Sequence, residues 1–279
     1  MTQYKTKATI GVQVTRTIGI VGGMGPLAGI DLASKILRRS ESRNDQSHPA
    51  FLLASNTTPV PDRTEYLLRR SSTNPAHAII NTIHDLIRIG AEVIGIPCNT
   101  AHAPKIFSPV CQQLSRLAPE VEIVNMVQCV EHDIGQREIP FANIGILCTH
   151  GTYDSGTYTK ALRSRDINPI YPDATMREQV NQAIYDQDYG MKGLGESNPK
   201  KARLSFYRAI EQLESMGAQA VILGCSEIAL LIQEEKYHDL ELLDPTNILA
   251  GRLLERAGLS QSSRRSPFVT VGHPVAEFL

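Results

Sequence analysis

Apolar positions along the chain fall into alternating strand-like and helix-like patterns. Thr17-Ile18-Gly19-Ile20-Val21 is a short β-rich run that ends on glycines, and Leu27, Ile30, Leu32, Ile36 and Leu37 follow as a helical apolar stripe, which predicts a strand feeding a helix. Phe51-Leu52-Leu53-Ala54-Ser55 reads as a second strand. Asn74-Pro75 opens a helix with Ile79, Ile80, Ile83, Leu86, Ile87 and Ile89 at helical spacing, closed by Gly90 at the expected C-cap. Gly90 to Cys98 then supplies a third strand, which stops on a thiol and the small polar residues Asn99 and Thr100.

The second half reads in the same order. Asn143-Ile144-Gly145-Ile146-Leu147 is a strand and Tyr158 to Leu162 starts a helix. Ala202 to Met216 is a longer helix with Leu204, Phe206, Ile210 and Leu213 on one side, and Ala218 to Cys225 follows Gly217 as a strand. Eight positions separate Gly90 from Cys98, and eight separate Gly217 from Cys225; Gly19 precedes the first cysteine by 79 residues and Gly145 the second by 80. The chain therefore carries a weak internal duplication. Alternating strands and helices imply mostly parallel α/β sheets. Two copies of such a unit predict two similar lobes related by a pseudo-two-fold axis, with a shared cleft at the carboxyl ends of the strands. The expected boundaries are 17–125 plus 243–279 for the first lobe and 126–242 for the second, because the Asp244-Pro245-Thr246 turn and the helix Asn247 to Ala257 bring the chain back to the first. Residues 1–16 lack a periodic pattern and read as a loose extension.

Composition narrows the partners. At 279 residues, 42% hydrophobic and 20% charged, this is an ordinary globular chain, and a formal net charge of −1 offers no footprint for nucleic acid or an anionic membrane. The longest apolar run, Ile18 to Ile30, is broken by glycines and Pro26 and falls short of the roughly 20 residues needed to span a bilayer. Five cysteines without a C-x-x-C pair argue against a disulfide framework and a structural zinc site, so a reducing cytoplasm is the expected setting.

Cys98 and Cys225 stand apart from Cys111, Cys129 and Cys148, which read as small buried hydrophobes. The two occupy matched strand ends, each followed by small polar residues instead of more core. A thiol is tunable by its surroundings, so one member of a facing pair can be a thiolate while the other stays protonated. That arrangement suits proton removal from one face of a carbon and proton delivery to the other, which inverts a stereocentre.

Gly22-Gly23-Met24-Gly25-Pro26, Pro97-Cys98-Asn99-Thr100-Ala101-His102, Thr149-His150-Gly151-Thr152 and Gly224-Cys225-Ser226-Glu227 together resemble the aspartate/glutamate racemases, over roughly Thr17 to Asp244. One departure is Ser226, where the family usually has threonine. The resemblance implies racemisation of an acidic amino acid, aspartate or glutamate, without pyridoxal phosphate, nucleotide or metal, by a homodimer. It implies that Cys98 and Cys225 are the catalytic pair. The substrate α-carboxylate would be held by Asn99 and Thr100 on one lobe and Thr149, Gly151 and Thr152 on the other, with Met24 and Gly25 closing the pocket. Pro61-Asp62-Arg63-Thr64 and the lysine in Tyr189-Gly190-Met191-Lys192-Gly193 match the segments that recognise the side-chain carboxylate in the family's aspartate racemases, giving that role to Arg63 and Lys192.

Three other readings remain open. Gly23-Met24-Gly25-Pro26-Leu27-Ala28 fits a variant of the dinucleotide fingerprint, but no acidic residue ends the following strand. Cys98 with His102 four residues on fits a single-cysteine isomerase or decarboxylase, although His102 reads more simply as an anchor for its helix. A binding protein that retains the fold is the third, and retention of both thiols opposes it. Cys148-x-His150 and Cys98-x-x-x-His102 are incomplete as metal sites.

Overall fold

The computed structural model describes residues 15–193 and 199–260. Of the extension expected at 1–16, residues 1–14 lie outside the described residues, as does the last stretch of the first-lobe segment, 261–279. Arg16 is tied down: its N–H donates to Ala257 O at 3.0 Å and its guanidinium to Glu122 Oε2 at 3.0 Å.

The first sheet consists of β1 (Ile18–Val21), β2 (Phe51–Ala54), β3 (Val93–Gly95) and β4 (Glu122–Val124), all parallel, in the order β2-β1-β3-β4. It is interleaved with α1 (Pro26–Arg39), α2 (Arg63–Leu67), α3 (Ala76–Arg88) and α4 (Pro104–Leu117), and α5 (Met126–Gly135) leads onward. The second sheet contains β5 (Asn143–Cys148), β6 (Asn168–Ile170), β7 (Ala220–Gly224), β8 (Lys236–Tyr237) and β9 (Leu240–Leu243) in the order β6-β5-β7-β9-β8. Its helices are α6 (His150–Ser155), α7 (Thr157–Arg163), α8 (Ala174–Tyr185), α9 (Pro199–Ser215) and α10 (Ser226–Leu231), and α11 (Pro245–Arg256) closes the described chain. The duplication seen in the sequence is therefore a duplication of topology: β6-β5-β7-β9 repeats β2-β1-β3-β4, with only the antiparallel β8 added.

Gly90 and Gly217 have φ of 105° and 88°, so each ends its helix in the left-handed region and turns the chain into β3 or β7. The predicted strand ending at Cys98 is shorter than expected and stops at Gly95. Pro97 has no N–H to continue the ladder, and Cys98 N donates back to Ile96 O at 2.8 Å. Cys225, by contrast, directly follows β7 and is the N-cap residue of α10.

Helices α5 and α11 join the two halves. Met126 and Cys129 of α5 pack with Ile18, Ile20, Val93, Leu249 and Leu253, whereas Val127, Val130 and Ile134 pack with Ile144, Ile146 and Ile222 of the second sheet. The helical repeat thus gives α5 two apolar faces, one for each sheet. The apolar stripe expected on α1 is divided: Leu32 and Ile36 are buried with Ala28 and Ala33, but Leu27, Ile30 and Leu37 are exposed. The inward face is built from smaller residues than the sequence suggested. No helix among the described residues is long and apolar enough to cross a membrane.

Candidate active site

The carboxyl ends of both sheets deliver their following segments to one place. Helix α1 touches α10, and α6 touches both α2 and the 3-10 turn Asn99–His102 that follows Cys98. Every site residue expected from the sequence sits on one of these segments except Lys192, which comes from the chain after α8.

A ladder of hydroxyls crosses the junction. Thr100 Oγ1 lies 2.9 Å from Thr152 Oγ1 and 3.2 Å from Thr149 Oγ1, and Thr64 Oγ1 donates to Thr149 Oγ1 at 3.4 Å. Thr149 is also the N-cap of α6, accepting from Thr152 N at 3.2 Å. Gly151 is small for a steric reason: a Cβ there would stand 2.8 Å from Thr64 Cα and from its Oγ1. Gly151→Ala is therefore expected to push α6 off α2, costing about 1–3 kcal/mol of stability. It should lower turnover more than Gly151→Ala-sized changes elsewhere on α6; thermal unfolding and steady-state kinetics read the two effects.

Asn99 is buried; its Oδ1 accepts from the hydroxyl of the fully buried Tyr158, and its Nδ2 has no hydrogen-bond partner. Arg63 is also buried, with Nη1 donating to Pro61 O at 3.3 Å and Nε unpartnered. Burial works against its charge, but the Cys98 sulfur and the Asp62 carboxylate outweigh that and hold the guanidinium firmly cationic. Asp62 caps α2 through Glu65 N at 3.0 Å and accepts from Tyr185 OH at 3.2 Å, and the same tyrosine oxygen lies 2.9 Å from Thr64 Oγ1.

The second thiol has the opposite neighbour. Cys225 Sγ donates to Glu227 Oε2 at 2.9 Å, Ser226 Oγ donates to the same oxygen at 3.1 Å, and Lys192 Nζ pairs with Oε1 at 3.2 Å. A Cβ on Gly25 would stand 3.2 Å from that Oε1, and the adjacent Met24 is buried. Burial and the Glu227 carboxylate push the Cys225 thiol well above its usual range, only partly offset by Lys192. Burial would raise Glu227, but Lys192 and the Cys225 S–H hold it ionised, below the usual carboxylate range. Lys192 in turn is disfavoured by burial and by Arg63, and is held cationic by Glu227 together with the sulfurs of both Cys225 and Cys98.

His102 is an anchor. Its Nδ1 lies 2.9 Å from Cys98 O, which as a pure acceptor requires the proton on Nδ1, and its ring packs 4.7 Å from Phe107. Burial depresses its pKa from 6.5 to about 4. The unfolded chain therefore binds the extra proton between these values, so this residue's share of stability is complete above pH 6.5 and falls as pH drops towards 4, by about 3 kcal/mol. His102→Gln is expected to flatten that part of the acid limb in urea unfolding measured against pH; an unchanged slope contradicts it. Cys129 and Cys148 are pushed up to about 12 by burial, as suits packing residues. His150 faces Glu178 at 2.9 Å, and among the described residues there is no group of three or more His, Cys, Asp or Glu arranged to hold a metal.

Sequence reasoning left the role of Glu227 open and did not single out Tyr185, Tyr158, Asp62 or Thr64. Glu227, Asp62 and Thr64 lie inside the quoted motifs and were legible there; nothing local marked the two tyrosines. The two cations also have partners that their motifs did not disclose, Cys98 for Arg63 and Glu227 for Lys192.

Residues 21–253 match the family described as Asp/Glu/Hydantoin racemase. The chain is 24% identical over 238 residues to the broad specificity amino-acid racemase RacX of Bacillus subtilis, covering 84% of this chain and 94% of that protein. It is 27% identical to the aspartate racemase of Picrophilus torridus, with a TM-score of 0.72 over 88% of this chain and 96% of that one. The fold is shared with an aspartate racemase homologue from Pyrococcus horikoshii, 24% identical with a TM-score of 0.64 over 87% and 99% of the two chains. With its duplicated parallel sheets, a cysteine beyond each of the equivalent strands, and its match over residues 21–253, the chain belongs to the Asp/Glu/hydantoin racemase family.

Proposed function

We propose that this protein racemises an acidic amino acid, aspartate or glutamate, by proton transfer between Cys98 and Cys225, without pyridoxal phosphate or metal. The observation that carries the reading is the pair of buried thiols on the segments that leave the equivalent strands β3 and β7. In this mechanism Cys98, beside the Arg63 guanidinium, is the base that removes the α-proton, and Cys225, holding its hydrogen, returns a proton to the opposite face. The carbanion has no cofactor into which to delocalise, so its stabilisation falls to preorganised charges and donors in a buried site. Asn99 Nδ2 is a buried donor without a partner, and the hydroxyls of Thr100 and Thr152 bond to each other and to Thr149, which also caps α6, so the Asn99 amide and these hydroxyls are placed to turn to a substrate α-carboxylate. The free Nε of Arg63, together with Lys192, suits the distal carboxylate.

A second reading has its own support. Lys192 is paired with Glu227 and Arg63 lies near the Asp62 carboxylate, so both cations are already neutralised in part, which favours a site that also accepts uncharged side chains. The test is a chiral assay of L- and D-aspartate, glutamate, alanine and lysine in deuterium oxide, with no added cofactor. Racemisation confined to the acidic pair, with one deuteron at Cα per inversion, is the expected outcome. Comparable rates across the panel support the second reading, and inactivity on all four overturns both.

A further inference from the structure

The two thiols are not electrostatic equals. Cys98 lies against a cation, Arg63, whereas Cys225 donates its hydrogen at 2.9 Å to a buried carboxylate oxygen that Ser226 also meets, while Lys192 holds the other oxygen. The duplication that makes the fold symmetric stops short of these neighbours: Glu227 follows its cysteine by two residues, and the corresponding position in the first half is Thr100. We propose that Glu227 is a positioning residue that keeps Cys225 protonated, so that Cys225 enters a turnover as the acid.

The inference rests on the racemase reading above but concerns the protonation of one sulfur, which is measurable without any substrate. In a turnover that starts with Cys225 as the acid, the C–H bond of the substrate breaks, its proton forms the S–H bond of Cys98, and the electron pair stays on Cα. The S–H bond of Cys225 then breaks and its proton forms the new C–H bond on the other face. The enzyme is left with a thiolate at Cys225 beside an ionised Glu227, the less favourable of its two forms. Running the reaction from the other enantiomer begins from that form, so the Glu227 carboxylate biases which enantiomer meets a ready enzyme. The groups that face Cys225 are Glu227 on its own helix, Lys192 after α8, Tyr185 of α8, and, across the junction and acting on Lys192, Arg63 of α2 and Cys98. Lys192 is the counterweight: remove the carboxylate, and the ammonium is left to face the sulfur alone.

Thiolate absorbance in the ultraviolet reads this directly. The full-length Cys98→Ala protein is titrated, and the curve of the Cys98→Ala, Cys225→Ala protein is subtracted to leave Cys225 alone. The same subtraction is then made with Glu227→Gln, which keeps size and shape, added to both. The Cys225 midpoint is expected to fall by roughly two pH units when the carboxylate is lost. Adding Lys192→Met instead of Glu227→Gln is expected to move it upward. A midpoint that stays put or rises with Glu227→Gln, in protein whose circular dichroism is unchanged, overturns the proposal, as does a midpoint unmoved by Lys192→Met. If the titration behaves as expected while the chiral assay finds no racemisation, the sulfur assignment stands and the activity reading falls; the reverse pattern rejects Glu227 alone.

Discussion

Cys98→Ala and Cys225→Ala are each expected to lower racemisation by at least about 10³-fold, the scale of a lost general acid or base with no substitute in reach. The loss must be equal in both directions. Enantiomers have the same free energy, so kcat/KM for the L and D substrates are bound to a ratio of one in any variant, and an apparent one-sided loss signals a side reaction. What differs between the two variants is exchange without inversion. Cys225→Ala retains the sulfur beside Arg63, which can still remove and return a proton on its own face, so one enantiomer should lose its α-hydrogen to deuterium oxide while keeping its configuration. Cys98→Ala should wash out the other enantiomer, and more slowly, because Cys225 faces Glu227. Proton NMR at Cα alongside chiral chromatography separates exchange from inversion and assigns each sulfur to a face. Full turnover by the Cys225→Ala protein removes the two-base mechanism and leaves the single-cysteine isomerase in its place.

Much of this layout was legible in the sequence because the strands that carry it are buried on both faces. Ile18–Val21 and Ala220–Gly224 read as continuous apolar runs, and the glycines before the cysteine strands mark their entry turns. Short or edge elements were not visible. β6 contains Pro169 and spans three residues, β8 only two, and α6 and α10 are six-residue segments held by contact across the junction, too short for a helical period to show. The split of α1 has a different cause. Its periodicity was read from the large residues, but Ala28, Gly29 and Ala33 are what allow the helix close approach to its sheet, which leaves Leu27 and Ile30 outside. In the site, motif residues were found because strand-to-helix turns gather small polar side chains. Partner identity was not: whether Lys192 meets a substrate or Glu227 depends on how two segments far apart in the chain approach each other, and Tyr185 joins Asp62 across 123 positions. Such pairings have no local signature.

Arg63→Met is expected to be the most damaging change outside the two sulfurs, with a fall of about 10²–10³-fold on aspartate. Two effects are folded into that figure and substrate choice separates them. As the cation beside Cys98, Arg63 stabilises the thiolate for every substrate, so its loss should depress aspartate and alanine alike. As a donor to a distal carboxylate through its unpartnered Nε, it should act on aspartate alone and chiefly through KM. Arg63→Lys sharpens the division, since it keeps a point charge but not the planar fork that can meet a sulfur and a carboxylate at once. The fold should tolerate either change: Asp62, the carboxylate that would be left behind, retains the α2 cap to Glu65 N and the Tyr185 hydroxyl. A uniform loss across the panel therefore makes Arg63 a servant of Cys98 and leaves side-chain recognition to Lys192. A loss confined to aspartate makes it the specificity residue, and the stabilisation of the Cys98 anion must then come from Lys192, the other cation coupled to that sulfur.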